Sequence, residues 1–364
     1  MEINAFEAHV FAKMAMPSCK PDACRSSCLP YPKSDELDGF AGVDNCISTV
    51  DKVVHVPTKT PDNKPLETIS FYDDHYLECQ RAFEKASPWT PDLNKWIHTH
   101  LGSRVLEKLD STLPEGGQLK LLGIGSGEGE VEYNLITRLL SKYPTIHNTV
   151  VDPSQTQLDL YKDLIKEKAP ELDGVQYDWH AKTLAQYRHS SEESGDRTKF
   201  HFISALFCLY YEADLYSSLE YLLSRLEPGG VLLAAMETDR CDVMKIEERF
   251  QFGADSDDVP LYCFTDMTAH FEKRGVPFAV LNQPDDQRDF DVTAIFDESS
   301  REGALLLDFI SSVANFRQVA PPGLLADFLS YVRSLATLRE GRVLLFYDTD
   351  YVLASKPKFK NHFV

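Results

Sequence analysis

The sequence predicts an α/β fold, a mostly parallel sheet with helices on both faces. Two observations predict it. Between residues 119 and 237, short apolar runs of strand type alternate with runs whose apolar residues fall at helical spacing. The first of these strands leads into "GIGSGEGE", with glycine at 123, 125, 127 and 129. Glycine turns the backbone sharply and lets another molecule lie flat against it.

The elements follow in chain order. Residues 1–66 read as an N-terminal extension, rich in Pro, Cys, Ser and charge, whose composition suits a poorly ordered tail. "SFYDDHYLECQRAFEKA" and "PDLNKWIHTHLGSRVLEKL" carry helical spacing. "LKLLGI" is a strand, "GEVEYNLITRLLSKY" a helix, "HNTVVD" a strand and "SQTQLDLYKDLIKEKA" a helix. "VQYDWH" and "KFHFISAL" are strands, with "RHSSEESGDR" expected as a polar loop before the second. "LYSSLEYLLSRL" is a helix, "EPGG" a turn and "VLLAAME" a strand. An irregular stretch holding Asp255, Asp257 and Asp258 precedes a helix at "TDMTAHFEKRG" and a strand at "PFAVLNQ". Helices at "GALLLDFISSVANF" and "PGLLADFLSYVRSLA" follow. "GRVLLFYDTDYVLASK" then reads as strand, turn, strand.

Charge narrows the ligand. With 57 acidic against 37 basic residues the net charge is −20, which argues against nucleic acid and against anionic membrane surfaces. No apolar run approaches ~18 residues, and the N-terminus lacks the basic start and apolar core of a signal peptide. The eight cysteines are therefore expected as reduced thiols in a cytoplasmic protein. The spacing of Cys19, Cys24 and Cys28 matches neither a CxxC pair nor a His-containing finger, and no metal site is expected. The partner expected is a small molecule, and the protein is expected to act as a monomer.

The glycine spacing excludes two nucleotide fingerprints. After Gly125 and Gly127 the third glycine, Gly129, comes one position earlier than in G-x-G-x-x-G, and no Walker lysine follows. G-x-G-x-G after a strand resembles the first motif of class I S-adenosylmethionine (SAM)-dependent methyltransferases. The helix opening near Gly129 offers free amides to a carboxylate. Asp152, at the tip of the second strand, is placed to accept both hydroxyls of a ribose. Such methyltransferases often carry an acid two residues before the first motif glycine, where this chain has Gly123.

"LLGIGSGEGE", "VVDPSQTQ", "WHAKT", "LYY", "LLDFISSVANFRQVAPP" and "EGRVLLF" occur here in one order. From about residue 69 to 356 that order resembles the histamine N-methyltransferase family. The resemblance implies a Rossmann-like seven-stranded sheet with a smaller substrate-covering part, from about 69–112 and 237–335, within a methyltransferase domain spanning 67–364. It implies SAM as cofactor, with Gly125, Ser126 and Gly127 against the methionine and Asp152 on the ribose. Gln157 would make a further contact, and Leu184 (through its backbone) and Leu206 would lie near the adenine.

On the acceptor side the resemblance implies changes. The family's ammonium-binding Glu falls at Trp89, its imidazole-binding Gln at Phe207, and its C-terminal Asn at Tyr347 with Asp348 adjacent. Tyr76, Tyr210 and Tyr211 remain, so an aromatic box is expected in place of polar contacts. The reaction implied is in-line methyl transfer to a neutral nitrogen, driven by positioning. A protonated aliphatic amine would need a base, for which Tyr211, Tyr347 and Asp348 are the candidates. Three readings stay open: N-methylation of an imidazole or biogenic amine; a methyltransferase for another acceptor, such as carnosine or an aromatic amine or phenol; and a non-catalytic SAM-binding protein. His180 is read as core or adenine neighbour, and His201 as structural.

Overall fold

A computed structural model describes residues 66–69, 74–87, 91–109, 117–250, 252, 260–284 and 288–357. Trp89, the aspartates at 255, 257 and 258 and the N-terminal cysteines lie outside the described residues.

The central sheet has seven strands: β1 Leu119–Ile124, β2 Ile146–Asp152, β3 Val175–Ala181, β4 Phe200–Leu206, β5 Leu226–Glu237, β6 Phe278–Asn282 and β10 Thr349–Ser355. They lie in the order β3-β2-β1-β4-β5-β10-β6. The first five run parallel, and β10 runs antiparallel between β5 and β6. This is the seven-stranded α/β sheet that the resemblance implies. The strand order reverses at β1 and β4, so a crevice opens beyond their carboxyl ends, where open α/β sheets bind ligands.

Helices cover both faces because each buries one stripe. On one face the cluster of Leu219, Leu222, Met267 and Phe271 packs helices Leu215–Arg225 (α7) and Phe264–Arg274 (α9) on the sheet. On the other, Leu101, Val105, Leu135 and Leu139 join helices Gly102–Leu109 (α3) and Glu130–Leu140 (α4) to β1 and β5.

A third core gathers the helices outside the central sheet. Phe83 of Asp74–Ala86 (α1), Phe250 of Asp242–Phe250 (α8), Leu307 of Arg301–Ser311 (α10) and Phe328 of Pro322–Leu335 (α12) meet there. They back a small antiparallel sheet of Asp289–Asp291 (β7), Arg342–Phe346 (β9) and Thr337–Arg339 (β8), in the order β7-β9-β8. His75 on α1 meets Asp308 on α10 at 2.8 Å, and Asp308 also accepts the backbone N–H groups of Asn315 and Phe316. That carboxylate ties α1 to α10 and to the turn beyond it.

Three expectations need correction. "RHSSEESGDR" is not a loop before β4: residues 188–194 complete helix Leu184–Ser194 (α6). A capping box between Thr183 and Gln186 opens this helix, Gly195 (φ 68°) closes it, and only Leu184, Tyr187 and Ser191 are buried. The helix reads as polar because it buries so narrow a stripe. "EPGG" lies inside β5 as an irregularity: Phe200 pairs with Leu226, while Phe202 pairs with Val231. The last two strands, β9 and β10, do not pair as a hairpin; β9 belongs to the small sheet and β10 to the large one. Helix α8 and strands β7 and β8 had no sequence expectation.

Candidate active site

The glycine bend leaves β1 in left-handed backbone, with φ 62° at Gly125, 55° at Gly127 and 83° at Gly129. Side chains seldom adopt this conformation. The outer two glycines are also demanded by packing. A Cβ at Gly125 would stand 2.4 Å from Cys208 Cβ, and one at Gly129 2.1–2.3 Å from the Tyr161 ring. Gly127 differs, because its nearest neighbour would be Gln157 Oε1 at 3.6 Å. Its open side is where a ligand can approach the backbone.

Asp152 faces this bend from the tip of β2 with 6% exposure. Its Oδ2 accepts the Gly127 N–H (2.9 Å) and its Oδ1 the Ser154 N–H (2.8 Å). Burial raises its carboxyl, and the two N–H donors oppose that. A carboxylate offers about four lone-pair sites, so two remain for a diol. Gln157, at the start of Gln155–Glu167 (α5), donates to Gln80 of α1 (3.0 Å), while its own Oε1 is buried without a hydrogen-bond partner. The open Gly127, the spare lone pairs of Asp152 and the orphaned Gln157 oxygen fit the SAM of the class I fold. Leu184 and Leu206 are buried, at 4% and 8% exposure. Leu184 belongs to the core cluster that holds Ile124 and Val151, and Leu206 to the one that holds Phe202 and Ala235.

A carboxylate from α4 occupies the space beside Gly123. A Cβ on Gly123 would lie 1.7 Å from Glu132 Oε1. The carboxylate of Glu132 on α4 therefore fills the space that a side chain at 123 would take. It accepts from the Ser126 hydroxyl (2.9 Å), Asn148 Nδ2 (3.1 Å) and the Tyr161 hydroxyl (3.0 Å). Burial raises its pKa. Sequence reasoning missed Glu132; the signal was the absence of a side chain at Gly123.

The acceptor side gathers beyond β4 and β5. Tyr210 and Tyr211, on the turn Leu209–Tyr211, pack edge to face at 4.4 Å, and Tyr211 hydrogen-bonds Tyr76 of α1. Tyr347, between β9 and β10, donates to Glu237 Oε1 (2.6 Å) at the end of β5 and packs on Phe83 at 5.2 Å. Phe207 takes a left-handed φ of 57° directly after β4, a strained state for a bulky residue at a site. Its ring packs edge-on against Tyr351 at 5.8 Å.

Neither Asp348 nor Tyr211 stands ready to accept a proton. Asp348 is fully buried, ion-paired with Arg288 and, at 2.7 Å, with Arg240, and it accepts the Thr238 hydroxyl. A carboxylate so occupied is part of the framework and not a proton acceptor. Tyr211 keeps 49% of its surface exposed, but burial of its hydroxyl end beside Tyr76 and Tyr210 holds the phenol well above its ordinary value. Glu237 and Glu247, both missed in the sequence, are the acids at this end. Burial raises Glu237; burial and then the charge of Glu237 push Glu247 up to about 8. An acid closing an otherwise apolar strand was the available signal for Glu237.

His180 and His201 make other contacts. His201 Nδ1 accepts the Lys120 N–H (3.0 Å), and His180 packs edge-on against Tyr187 (5.1 Å).

No protein-family model matches the chain. It is 29% identical over 282 residues to histamine N-methyltransferase B of Xenopus laevis, covering 76% of this chain and 94% of that protein. It is 26% identical over 291 residues to histamine N-methyltransferase of Bos taurus, covering 78% and 97%. It is 27% identical over 241 residues to carnosine N-methyltransferase 2 of Gallus gallus, covering 65% and 74%. Over about three quarters of its length the chain is therefore similar to the histamine N-methyltransferases.

Proposed function

We propose that the protein methylates a nitrogen of a small imidazole or biogenic amine. One observation carries the reading: Asp152 accepts the Gly127 N–H and faces Gln157 at the carboxyl edge of the parallel strands, and the Tyr347–Glu237 pair lies at the end of β5 on the same edge. SAM supplies an electrophilic methyl on a sulfonium. The chain's residues hold and orient. Asp152 and Gln157 bind, Gly127 gives room, and α1 closes over the groove through the Gln80–Gln157 hydrogen bond and an exposed Arg81–Glu128 pair at 3.5 Å. Tyr76, Tyr210, Tyr211 and Tyr347 line the acceptor side and keep water from the reacting nitrogen.

An imidazole is largely neutral near pH 7 and needs no strong base. This agrees with phenols held protonated by burial. The catalytic unit is proposed as 67–364, because the covering core joins α1 to residues 241–347. Cys79, Cys208, Cys241 and Cys263 are free thiols, which supports a reducing, cytoplasmic setting. Among the described residues no helix is long and apolar enough to cross a membrane.

A histidine dipeptide is the second reading, favoured by the relative named for carnosine. The test is labelled-methyl transfer from SAM to histamine, carnosine, tryptamine, tyramine and octopamine. Transfer to an imidazole or amine nitrogen supports the proposal. Uptake of SAM with transfer to none of them, or only to a phenolic oxygen, refutes it.

A further inference from the structure

Three side chains that the proposed reaction does not use meet between α1 and α10. His75 and Cys79 stand four residues apart on α1, and so on one face of that helix. Asp308 lies on α10, 233 residues beyond His75. His75 Nε2 is 2.8 Å from Asp308 Oδ2 and 3.6 Å from Cys79 Sγ, and the three ligand atoms all lie within 4.8 Å of one another. Among the described residues this is the one group of three or more His, Cys, Asp or Glu side chains so placed. Cys79 and Asp308 are buried, while the His75 side chain keeps 29% of its surface exposed and opens the group to solvent. A ring nitrogen carries one proton or one lone pair, so Nε2 cannot form a full hydrogen bond to both Asp308 and Cys79.

We propose that His75, Cys79 and Asp308 form a zinc site whose fourth position is left to water. One ion satisfies all three atoms, and thiolate, imidazole and carboxylate are donors that zinc accepts together. Zinc takes them at ~2.3, ~2.0 and ~2.1 Å in a tetrahedron, which sets neighbouring donor atoms roughly 3.3–3.6 Å apart. The Cys79–His75 separation already matches. The His75–Asp308 contact has only to open by about 0.5 Å to reach that spacing. On binding, the Cys79 thiol gives its proton to solvent and His75 keeps its proton on Nδ1, so that Nε2 offers its lone pair. Asp308 is already oriented by the N–H groups of Asn315 (2.7 Å, to Oδ2) and Phe316 (2.8 Å, to Oδ1), the kind of outer contact that holds a ligating carboxylate. The ion acts as a clamp of α1, which carries Tyr76 and Gln80, on α10. No spacing in the sequence marks the site, because its third ligand arrives only with folding. The inference goes beyond the proposed function and does not depend on it.

The test uses the full chain, freed of metal by a chelator and titrated with cobalt(II) as a spectroscopic probe for zinc. Wild type is compared with Cys79→Ser and with His75→Gln, whose amide keeps a donor for Asp308. Wild type is expected to show a thiolate-to-cobalt charge-transfer band that zinc abolishes by displacement, and Cys79→Ser to lack it. Cobalt held by the other cysteines appears in both spectra and cancels in the difference. Competition with a chelating dye should give a zinc affinity at least about tenfold weaker in each variant. Zinc at about a hundred times its Kd should raise the melting temperature of wild type by about 3 °C or more, and that of Cys79→Ser by less than about 1 °C. The inference is overturned where wild type and Cys79→Ser give the same spectrum, where zinc stabilises both alike, or where His75→Gln loses less than that tenfold. His75→Gln decides by its affinity where Cys79→Ser disturbs folding.

Discussion

Alanine at Gly127 and at Gly129 should fail in opposite ways. Both glycines have left-handed backbone, so either substitution carries about 1–2 kcal/mol of conformational cost. At Gly127 the new methyl meets only Gln157 Oε1 at 3.6 Å, so the stability loss should end there. At Gly129 it falls 2.1 Å from Tyr161 Cδ2. Tyr161 is fully buried, set edge-on to Trp179 at 5.3 Å, and donates to Glu132. Moving it adds roughly 1–3 kcal/mol of overpacking, and loss of the Glu132 bond adds roughly another 1–3 kcal/mol. Gly129→Ala should therefore cost about 3–8 kcal/mol. At roughly 2–4 °C per kcal/mol, thermal melts separate the two variants clearly. Calorimetry with S-adenosylhomocysteine should invert the ranking of damage. Gly127→Ala loses at least about tenfold in affinity while remaining folded, because its methyl projects into the groove. If Gly127→Ala binds like wild type, or melts as low as Gly129→Ala, the placement of the cofactor on this bend is wrong.

Other expectations follow from the same geometry. Asp152→Ala removes the acceptor of the Gly127 and Ser154 N–H groups as well as the ribose contact; S-adenosylhomocysteine affinity should fall by about tenfold or more, as read by calorimetry on protein whose circular dichroism is unchanged. Arg288→Ala leaves Asp348 buried with one arginine fewer and should destabilise by roughly 3–5 kcal/mol, measured in urea. Glu247 holds its proton to about 8 in the folded state against an ordinary 4.5. Between those values the folded protein binds more protons than the unfolded chain, so stability should fall as pH rises from 5 to 8. The part of this slope that Glu247→Gln abolishes, in melts across that range, measures the effect of Glu247; an unchanged slope excludes it.

The carbon skeleton of the fold was written in local pattern. Alternating strand and helix periods gave the α/β class. Glycines at 125, 127 and 129 marked the bend because a left-handed turn leaves a trace in residue type, and Asp152 ended an apolar strand where a ribose acceptor belongs. α6 escaped because its polar residues outnumber a narrow buried stripe. The pairing of β9 and β10 was misjudged because periodicity reports strands and not their partners. What only the tertiary structure decided are meetings between distant segments. Glu132 fills the space over Gly123, Arg288 and Arg240 pair with Asp348, and Tyr347 meets Glu237. A carboxylate's chemistry depends on what lies within a few ångströms of it, and in a folded chain those neighbours come from residues that sequence order keeps far apart.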